Sequence, residues 1–291
     1  MSPSVAEAVS SEAPPLAQTP PFNANHAKLF SLAGKTVAVT GGGRGLGLHM
    51  AIAVVEAGGS VACMDILEEP AAAEWEQIQK AAVVNGCHVS YHRCDVTSEQ
   101  AVEEIMEAVA AEAETRGAPF WGTIAAAGVQ QQCLAMDYSS ADFDRIMRIN
   151  VTGVFNTCKY AGRILHRNNR PGSIVIIASI SGHIANRGLT CTAYNTSKAA
   201  VHQMCRSIAQ EWGQYGIRIN TISPGYIRTA MTDQLISNEP DVEKTWMASA
   251  LLNRFGTPDD LKSPAVFLLS EGAAFIHGSD IRVDGGSTAS I

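Results

Sequence analysis

The sequence predicts a single doubly wound α/β domain, with helices on both faces of a seven-stranded parallel sheet, and three observations predict it. Short apolar, β-branched runs alternate with longer apolar or amphipathic runs from residue 36 to the end. The first of them, Thr36-Val-Ala-Val-Thr40, passes through a cluster of glycines straight into a second apolar segment. The following strand ends on an acidic residue, Asp65. Such alternation calls for crossover helices between parallel strands, which places helices on both sides of the sheet.

Taken in order, strands are predicted at 36–40, 60–65, 88–93, 120–126, 173–178, 217–222 and 280–283, and helices at about 45–57, 71–84, 98–115, 140–166, 194–213 and 258–269. The apolar stretch Leu48 to Ala57 is too long for a strand and reads as a buried helix. Ser60-Val-Ala-Cys-Met-Asp65 is the next buried strand. The 88–93 strand carries His88 and His92 on one face, near Cys87 and Cys94, and reads as an ordinary polar strand with no metal. Ala125-Ala-Ala-Gly128 closes the fourth strand with small residues, as a backbone pressed against a ligand or a tight packing contact requires. The helix from Asp142 to Leu165 sets Phe143, Met147, Val154, Cys158, Ala161 and Leu165 along one stripe, with Asn150 among them. Its inward amide needs partners; bridging neighbouring backbone is one reading and a role in chemistry is the other. Residues 1–33, rich in Ala, Pro and Ser, read as a disordered extension, and no linker interrupts residues 34–291. Positions 230–255 mix polar and apolar residues and suit a substrate lid or a small surface helix pair.

The glycine turn has the spacing Gly41-x-x-x-Gly45-x-Gly47, enclosing Gly43, Arg44 and Leu46. A strand turning through glycines into a helix leaves backbone N–H groups bare at the helix start. Close approach and the positive helix end then favour a pyrophosphate. Asp65 stands eighteen residues after Gly47, where a carboxylate meets ribose hydroxyls, and Ile66 follows it. Together these residues predict a nucleotide site. Asp95, before Val96, either caps the next helix or touches the adenine across the strand ends.

Composition excludes several classes. With 21 Lys and Arg against 28 Asp and Glu the net charge is −7, which gives a nucleic-acid partner no electrostatic support. Seven scattered cysteines without a C-x-x-C pair argue for a reducing compartment rather than a disulfide framework. No apolar run is long enough for a membrane span and no secretory signal is present, so a cytoplasmic location is expected.

Ser179 ends the fifth strand, in Ile176-Ile-Ala-Ser-Ile-Ser181-Gly182, where sheets of this kind bind ligands. Tyr194-Asn-Thr-Ser-Lys198 opens the next helix, and Tyr194, Lys198, Val201, Cys205, Ile208 and Trp212 share one face. An ammonium on an apolar stripe needs a partner or a lowered pKa, unless Lys198 snorkels to solvent. If it stays charged one turn from Tyr194, it favours the phenolate and brings that hydroxyl towards acid–base use. Ser179 then polarises the substrate oxygen.

The set Thr40-Gly41-x-x-x-Gly45-x-Gly47, Asn150, Ser179, Tyr194-x-x-x-Lys198 and Ser223-Pro224-Gly225 resembles the short-chain dehydrogenase/reductase family from about residue 35 to 287. Ala178-Ser-Ile-Ser-Gly-His-Ile-Ala-Asn186 and Ile222-Ser-Pro-Gly-Tyr-Ile227 are most similar to its fungal polyol dehydrogenases and ketose reductases. The resemblance implies a Rossmann-type fold and hydride transfer between a nicotinamide cofactor and a secondary alcohol or ketone, of a polyol, a ketose or a specialised metabolite. It implies that Tyr194 is the general acid/base, that Ser179 orients the oxygen, and that Lys198 binds the nicotinamide ribose and lowers the Tyr194 pKa. Asn150 holds a relay water on the same grounds. Ala127, Gly128, Pro224, Gly225, Ile227 and Thr229 fall at positions that meet the cofactor, and Ser181, His183, Tyr226, Asn186 and Gln130 near the substrate. The family's usual asparagine is missing from Ala125-Ala126-Ala127-Gly128, and Ser179 precedes Tyr194 by fifteen residues, two more than usual. Arg44 accompanies NADP use in the family, but the Asp65 carboxylate repels a 2′-phosphate, so NAD is expected, with NADP the alternative. A homotetramer or homodimer is also implied. A non-redox use of the pocket, regulatory or for cyclisation or elimination, is the alternative reading.

Overall fold

A computed structural model describes residues 26–229, 232 and 240–289. Seven strands form one sheet: β1 (Thr36–Thr40), β2 (Ser60–Asp65), β3 (Val89–Arg93), β4 (Phe120–Ala125), β5 (Gly172–Ile177), β6 (Ile217–Pro224) and β7 (Asp280–Val283). Their order is β3-β2-β1-β4-β5-β6-β7 and every neighbouring pair is parallel. The order reverses between β1 and β4, which opens a crevice beyond the carboxyl ends of those strands.

Alternation within β1 shows how both faces acquire a core. Val37 and Val39 pack on one side and Ala38 on the other, all fully buried. On the first side lie α2 (Gly45–Glu56) and α3 (Ala72–Asn85), contributing Leu48, Ile52 and Ile78. The second side holds α4 (Glu99–Thr115), α5 (Ser140–Met147), α6 (Gly153–Arg167) and α7 (Thr192–Trp212). From α4, α6 and α7 it takes Val102, Met106, Ile164, Leu165, Val201 and Cys205. Burying each such side chain stabilises the fold by about 1.5–3 kcal/mol. Beyond β6 come α8 (Pro240–Ser249) and α9 (Lys262–Leu269), and α9 closes the first side through Leu268 and Leu269.

Three sequence expectations are corrected here. The disordered extension was expected to run to residue 33; residues 1–25 lie outside the described residues. Residues 26–33 fold onto the domain: α1 (His26–Leu29) leads to Leu32, which is fully buried and donates its N–H to the Ala57 carbonyl at 2.8 Å. The single helix expected over 140–166 is divided, because α5 and α6 flank a π-helical turn at Arg148–Thr152. The helix expected over 258–269 opens instead with a 3₁₀ turn, Pro258–Leu261, capped reciprocally by Thr257 and Asp260. Of the anticipated lid, residues 230–231 and 233–239 lie outside the described residues, whereas Pro240–Ser249 is helical as α8.

Candidate active site

Three close contacts, two to backbone and one to a side chain, make the glycine turn obligatory. A Cβ on Gly41 would sit 2.7 Å from the Ala127 nitrogen, and one on Gly47 would overlap the Gly41 carbonyl. Gly43 leaves no space before the Asp65 carboxylate. The turn is therefore pressed against the end of β4, which explains the small residues Ala126, Ala127 and Gly128. At the start of α2, Arg44 offers no side-chain cap, so the first N–H groups of a twelve-residue helix face the crevice without one. Asp65 is buried, and its Oδ2 accepts from Gly43 N at 2.9 Å while Oδ1 accepts from Leu67 N at 3.2 Å. The carboxylate is thus braced beside the turn, and Ile66 next to it is exposed. A helix start with bare donors, a cradle that admits no Cβ and a fixed acid one strand away fit a dinucleotide.

Asp95 does not cap α4, the structural role that the sequence offered for it. Its Oδ1 accepts from the Thr97 N–H at 2.9 Å and the Thr97 hydroxyl at 2.8 Å, and the cap of α4 is Ser98. The Val96 side chain packs over Gly153, and its carbonyl accepts from Asn156 Nδ2 at 3.0 Å.

Asn150 sits fully buried in the π turn. Its Oδ1 accepts from Val129 N at 2.9 Å, and its Nδ2 donates to Val129 O at 2.9 Å and Ser197 Oγ at 3.0 Å. The amide is therefore used to tie the end of β4 to α7, the bridging role that the sequence left open.

Ser179 follows β5 in extended conformation. Its Oγ accepts the Ser181 N–H at 3.1 Å, and its hydroxyl is close enough to the Tyr194 phenol to act on its acidity. Ser179 rather than Ser181 therefore meets Tyr194, despite the longer interval. Loss of water around the ring pushes the Tyr194 phenol up to about 12, and the Ser179 hydroxyl opposes that rise. Lys198 is buried, donates to Ile177 O at 2.8 Å, and holds its Nζ 5.5 Å from the centre of the Tyr194 ring. Burial lowers this ammonium to about 8. The sequence suggested a phenol made more acidic by lysine; burial raises the phenol and lowers the ammonium, the direction desolvation sets for each. Gly128 adjoins both groups: its absent Cβ would lie 3.3 Å from Asn150 Oδ1 and 3.7 Å from Lys198 Nζ.

His183, expected near the substrate, is engaged with β7. Its Nε2 pairs with Asp280 Oδ2 at 2.9 Å and its ring packs on His202, with centroids 4.1 Å apart. Asp280 Oδ1 accepts from Thr221 at 2.5 Å and Ser223 at 2.8 Å, and His202 Nε2 lies 3.3 Å from the Ser179 carbonyl. This network ties β6 and β7 to the backbone of Ser179, and only the folded register of β7 reveals it. After β6, Gly225 N donates to Val283 O at 3.0 Å and buried Ile227 bridges Gly256. Thr229 N donates to Thr232 Oγ1 at 2.7 Å.

A family model described as enoyl-(acyl carrier protein) reductase matches residues 41–288. The short chain dehydrogenases/reductase notP′ of Aspergillus versicolor is 38% identical over 263 residues, 89% of each chain. The chain belongs to the short-chain dehydrogenase/reductase family. Within that family it is also 38% identical to galactitol 2-dehydrogenase of Rhizobium johnstonii over 261 residues, 89% of this chain and 97% of the relative. The crystal structure of the NADPH-dependent 3-quinuclidinone reductase of Rhodotorula rubra superposes with a TM-score of 0.84 at 32% identity, covering 95% of this chain and all of that one. As a short-chain dehydrogenase/reductase, the protein is an NAD(P)-dependent oxidoreductase that moves a hydride between a nicotinamide and the carbon of a secondary alcohol or ketone. Among the described residues no helix is long and apolar enough to cross a membrane.

Proposed function

We propose that this enzyme interconverts a polyol and a ketose with NAD as the preferred cofactor, and that Tyr194, Ser179 and Lys198 do the proton work. The observation that carries this reading is the Ser179–Tyr194 hydroxyl pair, with Lys198 beneath the ring, at the carboxyl end of the sheet beside the glycine cradle. When bound, the nicotinamide supplies or accepts the hydride, which is the difficult chemistry. In reduction, Ser179 holds the ketone oxygen and Tyr194 gives it the phenolic proton. In oxidation, the phenolate form of Tyr194 takes the alcohol proton while Ser179 keeps the oxygen in place. Lys198 serves the ribose and moderates the charge on Tyr194. Asn150 positions Val129 and Ser197 around them.

The cofactor choice follows from Asp65. A carboxylate fixed by two backbone N–H groups accepts ribose hydroxyls, whereas a 2′-phosphate would bring two anions together. Gly41, Gly43, Arg44, Gly45, Leu46 and Gly47 serve the pyrophosphate. Ala127, Gly128, Pro224, Gly225, Ile227 and Thr229 border the nicotinamide half. We read the assembly as a homotetramer or homodimer and the location as cytoplasmic, on the resemblance and the cysteine pattern respectively.

Paired NADH and NADPH titrations followed by turnover of ketoses and polyols test this reading. NADH is expected to bind at least about tenfold more tightly than NADPH, a difference of about 1.4 kcal/mol. Turnover of ketoses with NADPH alone would contradict the cofactor assignment, and turnover of none with either would contradict the substrate class.

A further inference from the structure

Asn186 and Trp246 each bury a polar atom that finds no partner among the described residues. Asn186 is 7% exposed and its Oδ1 accepts nothing; Trp246 is 3% exposed and its Nε1–H donates to nothing. Buried polar groups are almost always satisfied, so two orphans in one cluster point to something that completes them.

The orphans share their neighbours. Asn186 Nδ2 donates to the Tyr226 hydroxyl at 3.2 Å. The Tyr226 ring lies flat on the Trp246 indole, with centroids 4.6 Å apart and planes 12° from parallel. Phe255 meets the indole edge-on at 6.3 Å, and Leu189 packs against the same group. These side chains come from separate segments that converge at one end of the sheet. Asn186 and Leu189 lie on the loop between Ser179 and Tyr194, Tyr226 follows Gly225 at the end of β6, and Trp246 is on α8.

An apolar plug would carry no unpaired amide oxygen, and a closed polar network would use the indole N–H. Here one acceptor and one donor are buried and left unpaired beside a flat aromatic wall. A hydroxyl answers both, because it donates to an amide oxygen and accepts from an indole N–H. The aromatic wall suits the C–H face of the carbon that bears it.

We propose that Asn186 Oδ1 and Trp246 Nε1 bind a substrate hydroxyl on a carbon other than the one that exchanges hydride, which makes the pair the feature that selects polyhydroxylated substrates. This rests on the reading of the site as an alcohol–ketone oxidoreductase. A pocket built to bond a hydroxyl loses affinity for that substrate when a partner is removed, and is indifferent for an analogue without the hydroxyl.

The test compares the full-length enzyme with Trp246→Phe, which keeps the ring and removes the N–H, and with Asn186→Ala. Substrates are D-arabinitol and galactitol against 2-pentanol and 2-hexanol, which keep the chain length and carry one hydroxyl. For the polyols, KM is expected to rise roughly three- to tenfold in Trp246→Phe, the worth of one hydrogen bond, with kcat within about twofold. For the mono-alcohols KM stays unchanged or falls. Asn186→Ala is expected to show the same split. Unchanged NADH binding verifies that the variants are folded; if one is not, the split in the other decides. An equal rise for both substrate types, or no rise, overturns the inference and leaves the oxidoreductase reading standing, as does a wild type that accepts only mono-alcohols. A wild type that transfers hydride to or from none of a wider panel of alcohols and ketones overturns that reading and the inference together.

Discussion

Lys198 Nζ donates to one neutral oxygen, the Ile177 carbonyl, and desolvation lowers its pKa from 10.5 to about 8. The unfolded chain therefore binds more protons than the folded one between about pH 8 and 10.5, so this residue makes stability rise with pH across that window. Below about pH 8 both states are charged and the burial penalty is constant. Urea unfolding of wild type and Lys198→Met at pH 7.5 and 9.5 checks the sign: the wild type is expected to gain stability relative to the variant at the higher pH. Asp65 yields a second prediction at this scale. Asp65→Ser removes the anion beside the ribose, and the ratio of NADH to NADPH affinity is expected to fall about tenfold or more, measured by fluorescence titration. Single residues were legible in the sequence where spacing alone places them. Tyr194 and Lys198 share a face because they are one turn apart, and Asp65 ends a strand beside the glycine turn. Asp95 and His183 were not, since their partners depend on turn closure and on where β7 docks. Asn186 and Tyr226 were visible only as residues near the substrate; the two unpaired polar atoms appear once Trp246 stacks on Tyr226.

Between α5 and α6 the chain takes a π turn at Arg148–Thr152, which the apolar stripe of a continuous helix does not foretell, although it does foretell the inward place of Asn150. After the turn the stripe holds, with Val154, Cys158, Ala161 and Leu165 buried; before it Ile146 is the buried residue of α5, and the expected Phe143 and Met147 are only partly covered. Replacing Asn150 by Ala leaves the Val129 N–H and carbonyl without their bonds inside the protein. A loss of about 1–3 kcal/mol in chemical unfolding is expected, together with reduced turnover as Ser197 and the end of β4 loosen. Unaltered stability would show that water replaces the amide there. Element boundaries were otherwise readable from apolar runs and glycines. The first turn before α9 differs because the Thr257–Asp260 capping pair tightens it into a 3₁₀ turn.

Over the whole molecule, alternating strands and helices define the layers, and the glycine turn after β1 marks the crevice at the reversal between β1 and β4. Residues 26–33 escaped the sequence reading because a short Leu-Phe segment beside a Pro-rich stretch has no periodicity; its order comes from Leu32 filling a gap near Ala57. Magnitudes separate what holds the layers from what decorates them. Glu107 and Arg167 form a two-pronged ion pair between α4 and α6 at 2.9 and 2.7 Å, with both side chains well exposed. Leu165, on the same helix, is 1% exposed and fills the space that Gly172 leaves. Arg167→Ala is expected to cost under about 1 kcal/mol and Leu165→Ala about 2–5 kcal/mol, read by urea midpoints.

Turnover depends on Tyr194 giving and taking the proton while hydride moves. The direct measurement follows deuterium from 4-deuterated NADH, or NADPH if that proves to be the cofactor, into the carbinol carbon of the reduced product, for wild type and Tyr194→Phe. Deuterium in the wild-type product, with its formation lost in a Tyr194→Phe variant that still binds the nucleotide, is the predicted result. Deuterated product forming at an undiminished rate in the variant, or product free of deuterium in the wild type, would contradict it.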